Sequence, residues 1–229
     1  MAPSRLLLVE GPDDRHTFSA LLRYHGFPVN PPRPIDPDKL TIEETGGYER
    51  LRSRVRIELK PQDTDLPLQR LGMVVDADDD LPARWQSVRD VLSASGYRDI
   101  PMEPRPDGTV ITQLSRPTVG VWIMPDNTLP GILEHFVEFM VPGDDVLWLR
   151  AKQCLIQLPE AERRFRVRDT MKAHVHTWLA WQAEPGKPIS QAITSRYLDA
   201  DAPHARQFIE WVRRTFDYDA FAQEGGTRV

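Results

Sequence analysis

Asp76 and Asp78 stand two residues apart, at and just beyond the end of the apolar run 71–75. If extended geometry persists to the strand end, side chains at this spacing share a side, and both carboxylates face one way. Two carboxylates within a few Å repel each other and are costly to ionise together without a cation. Oxygen ligands of this kind, with positions left for water, suit Mg²⁺ or Mn²⁺. Glu10 closes a second apolar run, 5–9, and Glu134 follows a third, 119–124. A cation held by such acids can bind phosphate oxygens, activate water and stabilise an oxyanion. The alternative is a solvated acidic turn in which Asp80, just ahead of Leu81 and Pro82, caps the next helix.

Basic residues offer a second chemistry. Arg50, Arg52, Arg54 and Arg56 alternate along one segment, and Arg163, Arg164, Arg166 and Arg168 along another. Solvated faces with ion pairs to Glu49, Glu58, Glu160 and Glu162 account for them in one reading. In the other, Arg52, Arg56, Arg164 and Arg168 contact nucleic-acid phosphates, the second run belonging to a tail folded over the site, and binding then falls steeply with salt. His174 and His176, two apart on a helix, diverge and do not suit a shared zinc. Trp178, Trp181 and Trp211 read as core of the helical tail, and Cys154 as buried and inert. Gly46-Gly47 matches no phosphate-loop pattern.

The elements that must position these residues follow from apolar runs and punctuation. Short apolar runs at 5–9, 71–75 and 119–124 read as strands buried on both faces. A further strand is expected over 39–43. Helices are expected from Pro12 to a stop at Gly26, and over 48–60, 82–95 and 131–140. Residues 28–37, with five prolines, read as a loop. A hairpin is expected within 103–114 around Pro106-Asp107-Gly108. Beyond Pro142 the pattern turns helical, over 145–158, 160–182 and 205–216. Strands alternating with helices predict an α/β fold with a mostly parallel four-stranded sheet and helices on both faces. The division expected is an α/β domain over 1–142 and a helical extension over 143–229 packed on it. Such sheets build their sites at strand carboxyl ends, where Glu10, Asp76, Asp78 and Glu134 cluster.

The chain has 229 residues, of which 34 are acidic and 29 basic, for a formal charge of −5. With 40% hydrophobic and 28% charged residues, disorder, collagen and disulfide scaffolds are excluded. No apolar run approaches the roughly 18 residues of a membrane span. A single cysteine forms no internal disulfide, so a reducing cytoplasm is the expected location. The acidic balance argues against coating nucleic acid by bulk charge, but not against an enzyme with a local site.

Two tracts carry a family resemblance. Leu7-Leu8-Val9-Glu10-Gly11-Pro12-Asp13-Asp14 and Met73-Val74-Val75-Asp76-Ala77-Asp78 resemble the Toprim fold of topoisomerases, primases and overcoming-lysogenization-defect (OLD) nucleases. The tract 119–127, running into Gly131-Ile132-Leu133-Glu134, looks like small bacterial stand-alone Toprim proteins. The resemblance covers about residues 5–140 and extends more loosely through the tail. It implies that Glu10 serves acid–base or metal chemistry and that Asp76 and Asp78 bind Mg²⁺ (or Mn²⁺). From the nuclease branch it implies Asp14 and Glu134 as further metal ligands and Lys172 as a catalytic cation. Two metals about 4 Å apart could then clamp the attacking and leaving oxygens of a phosphodiester, with Lys172 stabilising the developing charge. No tyrosine stands where a topoisomerase needs one, and one cysteine cannot build a primase zinc module.

The function expected is Mg²⁺-dependent phosphodiester hydrolysis on DNA or RNA, in phage defence or DNA repair. The alternative is a non-catalytic or latent Toprim module serving a separate ATPase as partner or regulatory subunit. A homodimer is compatible with either, and no membrane is involved.

Overall fold

Apolar side chains on both sides of the inner strands make the sheet the centre of the molecule. The structure, a computed structural model, describes residues 3–31, 36, 38–60 and 67–218. The strands are β1 (Arg5–Val9), β2 (Thr41–Glu44), β3 (Arg70–Asp76), β4 (Thr109–Ile111) and β5 (Thr118–Met124), in the order β2-β1-β3-β5-β4. All pairings are parallel except that of β4 with β5. Along each inner strand successive residues point to opposite faces. Leu7, Val9, Val74, Trp122 and Met124 enter a core with α1 (Pro12–Tyr24) and the later helices. Leu6, Leu8, Met73, Val75, Val121 and Ile123 enter the other core with α2 (Tyr48–Glu58) and α3 (Leu81–Ala94). The expected α/β architecture, with helices on both faces, is what the chain forms.

The sheet has a fifth strand. Residues 103–114 do not fold back on themselves as the Pro-Asp-Gly turn suggested. Only β4 extends, and it pairs antiparallel with β5, Val110 opposite Gly120. Pro104 has no N–H to give a ladder, and no apolar alternation precedes the turn.

The remaining helices are α4 (Leu133–Glu138), α5 (Val146–Gln157), α6 (Thr170–Ala180), α7 (Ile189–Thr194) and α8 (Pro203–Phe216). The single helix expected over 160–182 is two short 3₁₀ turns followed by α6. Residues 160–169 offer no apolar stripe to pack. Cys154 is exposed rather than buried, on a helix whose buried residues are Trp148 and Ala151. Trp178 and Trp211 are core, whereas Trp181, where α6 ends, is 41% exposed. Much of the proline-rich stretch 28–37, and the end of the expected extension at 219–229, lie outside the described residues. No described helix is long and apolar enough to cross a membrane.

α8 lies directly on β3 and β5 because two paired strand positions, Gly72 and Gly120, carry no side chain. A Cβ at Gly120 would stand 2.3 Å from Thr215 Oγ1, and one at Gly72 2.7 Å from Phe216 Cζ. Arg5 Nε and Arg70 Nη1 donate to the Phe216 and Thr215 carbonyls, where a helix end has unpaired acceptors and favours a cation. Gly120→Ala is expected to cost about 1–3 kcal/mol by overpacking, with partial recovery in Gly120→Ala/Thr215→Ala. Urea unfolding midpoints check this, and an unchanged midpoint in the single variant contradicts the packing described.

Candidate functional site

The chain leaves β1 toward β2 on one side and leaves β3 toward β5 on the other, so the order reverses between β1 and β3. A crevice opens at the carboxyl ends of strands flanking such a switch point. Glu10 follows the last residue of β1, and Asp76 is the last residue of β3.

Glu10 is fixed by backbone. Its Oε1 accepts from the Asp76 N–H at 2.9 Å, and the Tyr48 N–H at the start of α2 also bonds the carboxylate. Its own carbonyl accepts from the Gly46 and Gly47 N–H groups, each at 2.9 Å. Burial outweighs these bonds and raises its pKa above the ordinary carboxylate value.

Asp76 has less support. Its Oδ1 is enclosed and has no hydrogen-bond partner. Burial first, then the charges of Asp14, Glu10, Asp78 and Glu134, push its pKa well above the usual range. Asp14, in the first turn of α1, accepts from the Gly11 N–H at 2.9 Å. Burial, with Glu10 and Glu134 adding repulsion, raises its pKa to about 7. Glu134, in the first turn of α4, is only 3% exposed, and Lys172 Nζ lies 3.5 Å from its Oε1.

Asp78 reaches the site by a different route from the one its spacing suggested. Extended geometry ends at Asp76, and Asp78 has φ +52. Its N–H donates to the Gly131 carbonyl at 3.0 Å, tying the end of β3 to the loop before α4. Its carboxylate pairs with Arg84 Nη2 at 2.6 Å. Asp80 does cap α3, accepting from the Ala83 N–H at 2.9 Å, so both readings of the acidic run hold, for different members of it.

Asp14, Asp76, Asp78 and Glu134 line a half-open cavity of about 570 Å³, and Lys172, Arg166 and Arg168 line it as well. Glu10 is not in that lining, and joins it through the Asp76 N–H. The other proposed phosphate contacts lie elsewhere: Arg52 pairs with Glu49 on α2, while Arg56 and Arg164 are exposed and outside the cavity. Arg166 is bonded to Asp169. Sequence reasoning missed Arg84, which sits on the second turn of α3 where the helix start directs it back toward Asp78.

Hard oxygen donors around an enclosed, unpartnered carboxylate oxygen fit a hard divalent cation. Among the described residues, no three acid, histidine or cysteine side chains already stand as ligands of one ion. Asp78 and Glu134 are turned instead to Arg84 and Lys172.

Residues 4–217 match the family described as "Protein of unknown function (DUF3226)". The chain belongs to the DUF3226 family. Among curated proteins none matches it. This DUF3226 chain is similar to solved structures of the C-terminal region of the Xanthomonas campestris pv. campestris OLD protein. One, phased with iodine, has 14% identity and a TM-score of 0.47, covering 96% of this chain and 98% of that one. Another, phased with mercury, has 16% identity and a TM-score of 0.44, with 95% and 98% covered. The OLD resemblance carried by the sequence is met here as a likeness of fold and nothing more.

An acid whose pKa is raised on folding holds its proton longer in the folded chain than in the unfolded one. Stability therefore falls as pH climbs through the window between the two values, and levels off above the folded value. For Asp14 that window runs from 3.8 to about 7, and Asp76 acts in the same direction. In chelating buffer the thermal midpoint is expected to fall between about pH 5 and about pH 8. Asp76→Asn should flatten that profile and raise the midpoint near pH 8 by about 2–4 °C, for roughly 1 kcal/mol of relieved repulsion. A lower midpoint in the variant at that pH contradicts the electrostatic account.

Proposed function

We propose that the chain hydrolyses phosphodiester bonds of nucleic acid with Mg²⁺ or Mn²⁺ held by Asp14, Asp76, Asp78 and Glu134. The observation that supports this most is the cavity itself: the buried acids Asp14 and Glu134, a partnerless Asp76 Oδ1, and the cations Arg166, Arg168 and Lys172 in the same lining. A divalent cation bound there supplies water activation and charge neutralisation at phosphorus. Glu10, oriented by the Asp76 and Tyr48 N–H groups and with a raised pKa, takes up or releases a proton at its carboxylate. Lys172 and Arg168 bind non-bridging phosphate oxygens, Lys172 countering the charge that develops there. Purified protein with Mn²⁺ is expected to nick plasmid DNA or cleave RNA, and Asp76→Ala to lower the rate at least about 100-fold. Equal rates in the two proteins would remove the proposal.

The phosphate contacts have their own signature. Arg168→Ala is expected to weaken binding to a labelled oligonucleotide and to lower the slope of log affinity against log salt by about one. Fluorescence anisotropy over a salt series measures it, and an unchanged slope excludes Arg168 as a phosphate contact.

A second reading, a latent module that acts with a separate ATPase, is favoured by one observation. Asp78 and Glu134 are each paired to a cation of the chain itself. Nuclease activity that appears only on adding that ATPase would select it.

A further inference from the structure

Among the described residues, Arg84 is the one cation at the acidic site that is both enclosed and held on two sides. Its side chain is 13% exposed, against 60% for the Asp78 carboxylate it meets at 2.6 Å. The guanidinium carbon lies 3.7 Å from the centre of the Tyr48 ring, a stacking distance that favours Arg over Lys. Tyr48 is also the residue whose N–H holds Glu10, and the charge of Arg84 acts on Glu10 against the effect of burial. Yet Arg84 Nε is enclosed with no hydrogen-bond partner. A guanidinium offers five N–H donors in a fork, so this placement serves charge more than hydrogen bonding.

Arg84 is not what holds α3 in place. That helix is capped by Asp80, starts through Pro82, and packs through Trp85, Val88, Val91 and Leu92. Lys172, which faces Glu134, is a weaker holder: its side chain is 51% exposed and stands 3.5 Å from the carboxylate, longer than a well-formed hydrogen-bonded pair. Asp78, by contrast, both lines the cavity and bonds Arg84.

We propose that Arg84, stacked on Tyr48, is a built-in counter-ion that competes with a divalent cation for Asp78, so that loading the site requires Asp78 to leave Arg84. This rests on the reading of the cavity as a divalent-cation site. Arg84 is thus a positioning residue: it sets the affinity and readiness of the site through Asp78. Loss of a merely structural residue loosens a metal site; loss of this competitor tightens it.

Calorimetric titration of the full chain with Mn²⁺ tests this, with circular dichroism as the check on folding. Arg84→Ala is expected to bind Mn²⁺ roughly five- to tenfold more tightly than the unaltered chain, the size of a partly buried ion pair removed from competition. Arg84→Lys keeps the charge but loses the stack and the fork, and should gain about two- to threefold; it carries the test if the alanine variant does not fold. Arg206→Ala, which removes a surface cation paired to Asp201, should stay within about twofold. In an Asp78→Asn background the gain from Arg84→Ala should vanish, because the competition runs through that carboxylate. Mn²⁺ affinity that is unchanged or weaker in Arg84→Ala, or a gain that persists in the Asp78→Asn background, overturns the inference alone. Absence of Mn²⁺ binding in every variant overturns the cation-site reading, and the inference with it.

Discussion

Carboxylates gathered in one place, most of them enclosed, cannot all ionise without an answering charge, and the site is organised by how each of them finds one. Glu10 has two backbone N–H groups, Asp78 has Arg84 and Glu134 has Lys172. Asp14 has the Gly11 N–H and, with its pKa near 7, a proton for part of the time at neutral pH. Asp76 has no partner for Oδ1, and the other four acids act on it together. The least satisfied member is therefore the one at the centre of the field. Protons, the chain's own cations and a hard divalent ion are three exchangeable answers to the same repulsion.

That repulsion is strong because the fold encloses Asp14, Asp76 and Glu134. The two cores divided by the sheet bring β1 and β3 into register, so that Leu8 stands beside Met73 and the acids just beyond emerge side by side. α1 and α4 then present Asp14 and Glu134 from their first turns on the same face of the sheet. α8, seated on Gly72 and Gly120, buries the sheet where those acids do not reach. A surface placement of the same side chains would leave them hydrated and screened.

The strand ends were legible because apolar runs closed by an acid or a glycine are local signals. Glu10 and Asp76 were found in that way, and the structure bonds them to each other at the switch point, whereas Glu134 lies ten residues past its strand, in a helix. Asp78 was found by a rule that does not operate: strand alternation ends at Asp76, and a left-handed turn carries Asp78 back. The arginine run after Pro159 was expected on a helix, which it does not form. Arg166 and Arg168 reach the cavity from an irregular segment rather than a helix face. The pairing of Arg84 with Asp78, six residues apart across a turn, left no periodic trace.

The amino-acid sequence by itself determined the alternation of buried strands and helices, the glycine and proline punctuation, and the presence of acids at strand ends, since each depends on neighbours within a few residues. Which acids would be buried, which would be answered by Arg84 or Lys172, and which would be left without a partner was decided only when segments 38 to 158 residues apart closed on one cavity, Lys172 on Glu134 and on Asp14 among them. Desolvation and mutual charge depend on distance in space, and no spacing along the chain encodes that distance.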